Sequence, residues 1–161
     1  MHALLSGLLS ITALAVGLRA QAQDIGLTMD AGTLPGVLGQ TCGPVSCTPH
    51  NGMLVPAGQT RNVEHLGAPS SLYAIALGLP APCTVVPGID NVLLLQDPII
   101  LGWGLTSAPP FVPLPCQQGV AGASFFVPAG TPPGLVFRVQ SLGVSNAGQL
   151  AFGPAIEAST S

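Results

Sequence analysis

The amino-acid sequence predicts an all-β chain: an antiparallel β-sandwich, jelly-roll-like or Ig-like, of about nine or ten short strands stapled by disulfides. Three features carry that prediction. Pro and Gly are spread along the whole chain, 17 and 21 of them. Pro breaks helices and is excluded from central ladder positions, so short strands must fit between successive prolines. Apolar runs with turn signals between them recur about every ten residues, and no stretch has the period of an amphipathic helix. The third feature is residues 72–79, Leu-Tyr-Ala-Ile-Ala-Leu-Gly-Leu, where large and small residues alternate. Tyr73, Ile75, Leu77 and Leu79 would share one side of a strand, with Ala74, Ala76 and Gly78 on the other. A strand with a bulky face and a thin face, neither charged, belongs in the middle of a sheet. The bulky face enters a core and the thin one is covered by a loop or a partner.

The other elements follow in order. Residues 25–29 make a first strand with Ile25, Leu27 and Met29 on one face, and residues 31–40 read as irregular. Residues 45–55 read as a hairpin about Asn51-Gly52, because Asn-Gly suits the positive φ of a tight turn. Residues 60–66 form a strand on which Arg61 and Glu64 mark exposed positions. Pro80 and Pro82 end the strand that began at Leu72. Residues 92–95 and 99–103 are two short apolar strands, and residues 124–127 another, with Phe125 and Phe126 straddling it. Residues 134–153 are free of Pro and read as two strands about the turn Ser145-Asn146-Ala147-Gly148.

Residues 3–18 are apolar, and Ala20 and Ala22 make the small-x-small pattern of a signal-peptidase site, so residues 1–22 are expected to be a signal peptide. An anchor is the alternative, but the run is at the short end for crossing about 30 Å of hydrocarbon. The expectation is a secreted protein, extracellular or periplasmic, with residues 23–161 as a single β-sandwich domain and no membrane span in the mature chain. Those residues carry Arg61 and Arg138, no Lys, and six acids. Two arginines cannot build a basic patch, which excludes nucleic acid and anionic membranes as partners. One Tyr and one Trp cannot supply the aromatic girdles of an outer-membrane barrel.

Four cysteines follow the leader: Cys42, Cys47, Cys83 and Cys116. An even count in a secreted chain reads as two disulfides. Three pairings exist, and the preferred one is Cys42–Cys47 with Cys83–Cys116. No pair has the two-residue spacing of a zinc site, and there is no Asp-x-Asp-x-Asp series for calcium, so no metal or other cofactor is expected.

Few residues point to chemistry. His50 and His65 are the only histidines after the leader, and no Gly-x-Ser-x-Gly elbow accompanies them. His50 reads as a turn residue and His65 as lying near a strand end. Asp90 and Asp97 flank an apolar strand and read as turn starts rather than as an acid–base pair. Trp103, between Gly102 and Gly104, is the candidate ligand-binding residue, as an exposed platform for a sugar ring or an apolar ligand. The ordinary alternative, which the sequence favours, is a core ring that the flanking glycines allow to pack against the backbone.

Gly67-Ala68-Pro69, the Ala/Leu strand ending in Gly78-Leu79, Pro115-Cys116, and the segments 123–128, 134–140 and Ser145-Asn146 together carry a likeness. Over about 95 residues, from Gly67 to the end, the chain resembles a C-terminal β-sandwich module of secreted proteins of planctomycetes and myxobacteria. Where that module has an aromatic before its late Gln, Arg138-Val139 stand here. The resemblance implies a secreted sandwich and brings no catalytic residue with it. The functional expectation is therefore a secreted structural or adhesive interaction module without catalytic activity. A carbohydrate-binding module using Trp103 is the alternative, and a small hydrolase the third. Expected partners are a second copy, other extracellular proteins or glycans, because so uncharged a surface leaves apolar patches.

Overall fold

A computed structural model describes residues 24–30, 37–40, 45–108 and 119–161. The expected leader at residues 1–22, Cys42 and Cys116 lie outside the described residues. The described residues form strands and no helix: β1 (Gly26–Asp30), β2 (Val37–Gln40), β3 (His50–Val55), β4 (Thr60–Gly67), β5 (Leu72–Val85), β6 (Val92–Leu105), β7 (Gly119–Phe126), β8 (Val136–Val144) and β9 (Leu150–Thr160). They make two sheets, one in the order β2-β1-β4-β7 and one in the order β3-β9-β8-β5-β6. The chain is a β-sandwich. Hairpins β5–β6 and β8–β9 lie in the second sheet, while β4 and β7 pair in the first, and the chain crosses between sheets after β2, β3, β4, β6 and β7. Of the two arrangements the sequence left open, this order is the Ig-like one.

The core lies between the sheets. Leu27 and Met29 of β1, Val63 of β4, Ile75 of β5, Val139 of β8 and Ile156 of β9 belong to one buried cluster. The period-two reading of β1 and β5 holds, with Tyr73 and Leu77 packed against the same cluster as Ile75. Phe125 turns inward, edge-on to Phe137 at 5.7 Å, and Phe126 points out. The turn after β8 closes as expected, with Gly148 at φ 76° donating its N–H to the Ser145 carbonyl.

Several expectations are corrected. The sheets are not wholly antiparallel: β3 runs parallel to β9. Residues 45–55 are not a hairpin. His50 to Val55 is one strand, and the positive φ of Gly52, 114°, falls where its register with β9 shifts. A positive φ opens a bulge as readily as a turn. Residues 37–40 are a strand, paired with β1. Arg61 is buried, because residues 61, 63 and 65 all face inward; its Nη2 donates to Gln59 Oε1 at 2.8 Å.

Pro80 and Pro82 do not end β5, which runs 14 residues to Val85. Beyond Gly78 the strand leaves β8 and keeps only β6 as partner, so it needs hydrogen bonds on one side alone and tolerates proline. The two apolar runs of residues 92–103 are likewise one strand, β6, with register irregularities at Leu101 and around Asp97. The long hairpin that results folds back across the outer face of its own sheet. Buried Gln140 pins it there: its Oε1 accepts from Leu94 N at 2.9 Å, and its Nε2 donates to the carbonyls of Val92 and Gly153 at 2.8 and 3.0 Å. Arg138 Nη1 donates to Ala81 O at 2.8 Å, and its Nε pairs with Glu157. The tip reaches β9, where Asp90 N donates to Leu150 O and Phe152 N donates to Asp90 O.

This fold-back also overturns the expected disulfides. Cys83, carried on the extended β5, bonds Cys47 just ahead of β3, with a Cα–Cα distance of 5.2 Å. Neither Cys42–Cys47 nor Cys83–Cys116 is formed. The bond closes a loop across a sequence separation of 36 residues, for which chain entropy gives about 4 kcal/mol.

Candidate functional site

The outer face of the five-stranded sheet is where the sequence and the fold place an unusual surface. Residues alternate across β5, so the thin side Ala74 and Ala76 faces outward while Ile75 faces the core. Register sets the neighbours: Trp103 of β6 lies opposite Ala74, Leu105 opposite Leu72, and Ile100 opposite Ala76. On the other side of Ala74 stands Leu142 of β8, and beyond it Phe152 of β9. The row Trp103, Ala74, Leu142, Phe152 therefore crosses four strands with no polar side chain in it.

Trp103 is 78 % exposed, and Leu72, Ile100 and Leu105 are exposed beside it. The ring is not in the core, which corrects the reading the sequence favoured. The flanking glycines turn to the core side instead. A Cβ on Gly104 would stand 3.6 Å from Tyr73 Cε1, and one on Gly102 would stand 3.1 Å from the Ala123 Cβ of the facing sheet. Gly102 and Gly104 thus serve the inner face. Trp103, between them, has only the outer face left, and the small Ala74 beside it leaves its ring standing clear.

The folded-back hairpin borders this face. Between the two lies a groove of about 250 Å³, floored by Ala74, Ala76 and Leu142 and walled by Leu93, Leu95 and Pro98. The thin face was expected to be covered by a loop or a partner. The hairpin covers the part over Gln140, and the part at Trp103 stays open.

The histidines and acids do not gather into a reacting group. His65 is fully buried on β4, stacked on Tyr73 at 5.7 Å between ring centroids. Gly67 and Gly143 make space for it, since a Cβ at Gly143 would collide with the imidazole. Neither ring nitrogen has a hydrogen-bond partner among the described residues. Burial without a partner disfavours the charged form and lowers the His65 pKa to about 4. The ring is neutral at pH 7 and packs as part of the core. His50 is exposed on β3. Asp90 sits in the hairpin tip and Asp97 in the β6 bulge, about 20 Å apart along an extended strand. Among the described residues no group of three or more His, Cys, Asp or Glu is placed to hold a metal ion. The described residues contain no helix long and apolar enough to cross a membrane, which says nothing of strands.

No family model matches the chain, and no curated protein matches it. Among solved structures, it is similar to the cellulose-active LPMO CelS2 in complex with copper, with 16 % identity and a TM-score of 0.40 over 74 % of this chain and 55 % of that one. A chitin-binding domain from Burkholderia pseudomallei gives 16 % identity and a TM-score of 0.37, over 71 % of this chain and 57 % of that one. A Niemann-Pick type C2 protein from Japanese carpenter ant gives 14 % and 0.31, over 67 % of this chain and 79 % of that one. The chain spans little more than half the length of the first two, and likenesses of this size assign no activity to it.

Proposed function

We propose that this chain is a secreted, non-catalytic interaction module that docks to a second copy of itself through the apolar outer face around Trp103. The observation that carries the reading is the 78 % exposure of Trp103 in a row without polar side chains. A large apolar patch left in water marks a surface that something covers. Trp is also the residue type most often found at the energetic centre of protein contacts.

Charge supports a second copy as the occupant. The chain has three Arg and no Lys, Arg61 is buried and Arg138 is bonded to Glu157. Two such faces would meet without paying to bury a charge, and a small net charge does little to keep copies apart. β6 is moreover an edge strand, its outer side unpaired among the described residues. The Cys47–Cys83 disulfide supports an oxidising compartment. The same arginine inventory argues against nucleic acid.

Sedimentation velocity over a range of concentrations tests this. The wild-type protein should associate reversibly, and Trp103→Ala and Leu105→Asp should each remain monomeric. A wild type that stays monomeric at high concentration contradicts the proposal. A second reading, a glycan platform, is favoured by the same ring standing clear beside Ala74. It predicts that an insoluble polysaccharide depletes the wild type and not Trp103→Ala from solution.

A further inference from the structure

The inner faces of the two sheets leave a gap at one end. β6 is an edge of the five-stranded sheet and β7 an edge of the four-stranded one. Between them lies a cavity of about 250 Å³, lined by Leu77, Ile99, Phe125, Phe126, Leu135 and Phe137. Leu77 and Ile99 are cross-strand partners on the core side of β5 and β6. Ile75, two residues earlier on that side, is fully buried, yet Ile99 is 64 % exposed and Leu79, the next residue of β5 on the same side, 47 % exposed. Large apolar groups on the core side of a sandwich are left wet, and burying them would be favourable.

We infer that this cleft takes the hydrocarbon tail of a single-chain amphiphile whose head is an amine. Size sets the tail. The cavity is smaller than the roughly 300–1,000 Å³ typical of pockets for drug-sized ligands, so it suits one alkyl chain and not a fused ring system. Charge sets the head. The Thr160 hydroxyl at the cleft is spent, donating to Pro132 O at 2.6 Å and accepting from Leu135 N at 3.0 Å. Asp97 is the one charged residue among those lining the cavity, and it is exposed. It occupies a left-handed backbone position, φ 49°, in the bulge of β6 next to Ile99. No Arg lines the cleft. A carboxylate or phosphate head would meet a like charge there, and an ammonium its opposite. The site lies on the core side of the strands whose outer side carries Trp103, so it stands independently of the docking face.

Displacement of a fluorescent apolar probe, N-phenyl-1-naphthylamine, from the purified protein tests the inference. Decylamine should displace the probe and decanoate should not. Shortening the amine by two methylenes to octylamine should weaken binding about tenfold. Asp97→Asn keeps a residue type that tolerates a positive φ, and it should weaken decylamine several-fold while leaving decanol unchanged. Ile99→Trp, at an exposed edge position that leaves the fold intact, should block the cleft and abolish displacement. The inference is overturned if decylamine fails to displace the probe, if decanoate binds as tightly, or if both variants bind like the wild type with unchanged melting temperatures.

Discussion

The two outer faces of this sandwich are built on the same strand geometry and carry opposite chemistry. On the four-stranded sheet the outward positions are Thr28 and Asp30 of β1, Asn62 and Glu64 of β4 and Ser124 of β7, adjacent across the ladder. Asn62 Nδ2 donates to Asp30 Oδ2 at 2.9 Å across this face. On the five-stranded sheet the outward positions around Trp103 are Leu72, Ala74, Leu105, Ile100 and Leu142, while Arg138, Gln140 and Glu157 lie toward the folded-back hairpin. A sandwich needs only its inner faces to be apolar, and the first sheet obeys that economy. The second does not. Its apolar outer face adds nothing to the core between the sheets, and the folded-back hairpin covers only part of it. The contrast teaches that the apolar character of this chain is not spread evenly for solubility's sake but concentrated on one side, around its single Trp.

The difference can be probed from its largest expected effect to its smallest. The hairpin that borders the apolar face is held by Cys47–Cys83, and replacing both with Ser should lower stability by about 4 kcal/mol, read as a fall in the denaturant midpoint. Gln140→Leu should come next. It leaves Leu94 N–H and the Val92 and Gly153 carbonyls without their partner, which should cost about 3 kcal/mol and loosen the hairpin over the groove. Hydrogen exchange at Leu94 would register the loosening.

His65 lies behind the apolar face, stacked on the Tyr73 ring, with Gly67 and Gly143 clearing space for its imidazole. Its pKa is about 4 in the folded chain against 6.5 when unfolded. Above pH 6.5 the imidazole is neutral in both states and stability is complete. As pH falls from 6.5 to about 4 the unfolded chain takes up the proton first, so stability declines, by about 3 kcal/mol in total. His65→Phe keeps a ring on Tyr73 and should flatten that part of the stability–pH curve. A curve unchanged by the substitution would mean that the ring is not buried as described. The smallest effects on stability belong to the faces themselves. Trp103→Ala and Asn62→Ala should each change unfolding free energy by no more than about 0.5 kcal/mol, since both residues are exposed. They should part company in association, which only Trp103→Ala removes.

What the sequence made legible was local. The alternation in β1 and β5, the turn at residues 145–148 and the opposite sides taken by Phe125 and Phe126 all depend on near neighbours, and the structure has them. What it hid was non-local. Nothing near His50 announces a parallel partner at the far end of the chain, and a positive-φ Gly52 serves a bulge as well as a turn. Cys83 was misassigned because the proline-tolerant edge that carries it toward Cys47 exists only once β5 has left β8. With those two joined, Cys42 and Cys116 are the only thiols left to each other, and non-reducing peptide mapping should find them linked. Arg61 was misread because charge is a poor guide when the alternation along β4 turns a residue inward. Trp103 stands outward because the alternation of β6 turns its glycine neighbours to the core side, where Gly102 lies close against Ala123 of the facing sheet.

The single Trp of the chain reports on the apolar face without any label. Emission and acrylamide quenching of Trp103 as a function of protein concentration are therefore the most direct measurement. A dilute sample should emit in the red, water-exposed range and quench readily. Raising the concentration should shift emission to the blue and shield the ring, as copies cover the face. Blue, unquenchable emission at every concentration would put the ring back in the core and contradict the account. Red, readily quenched emission at every concentration would leave the face uncovered and contradict the docking of a second copy.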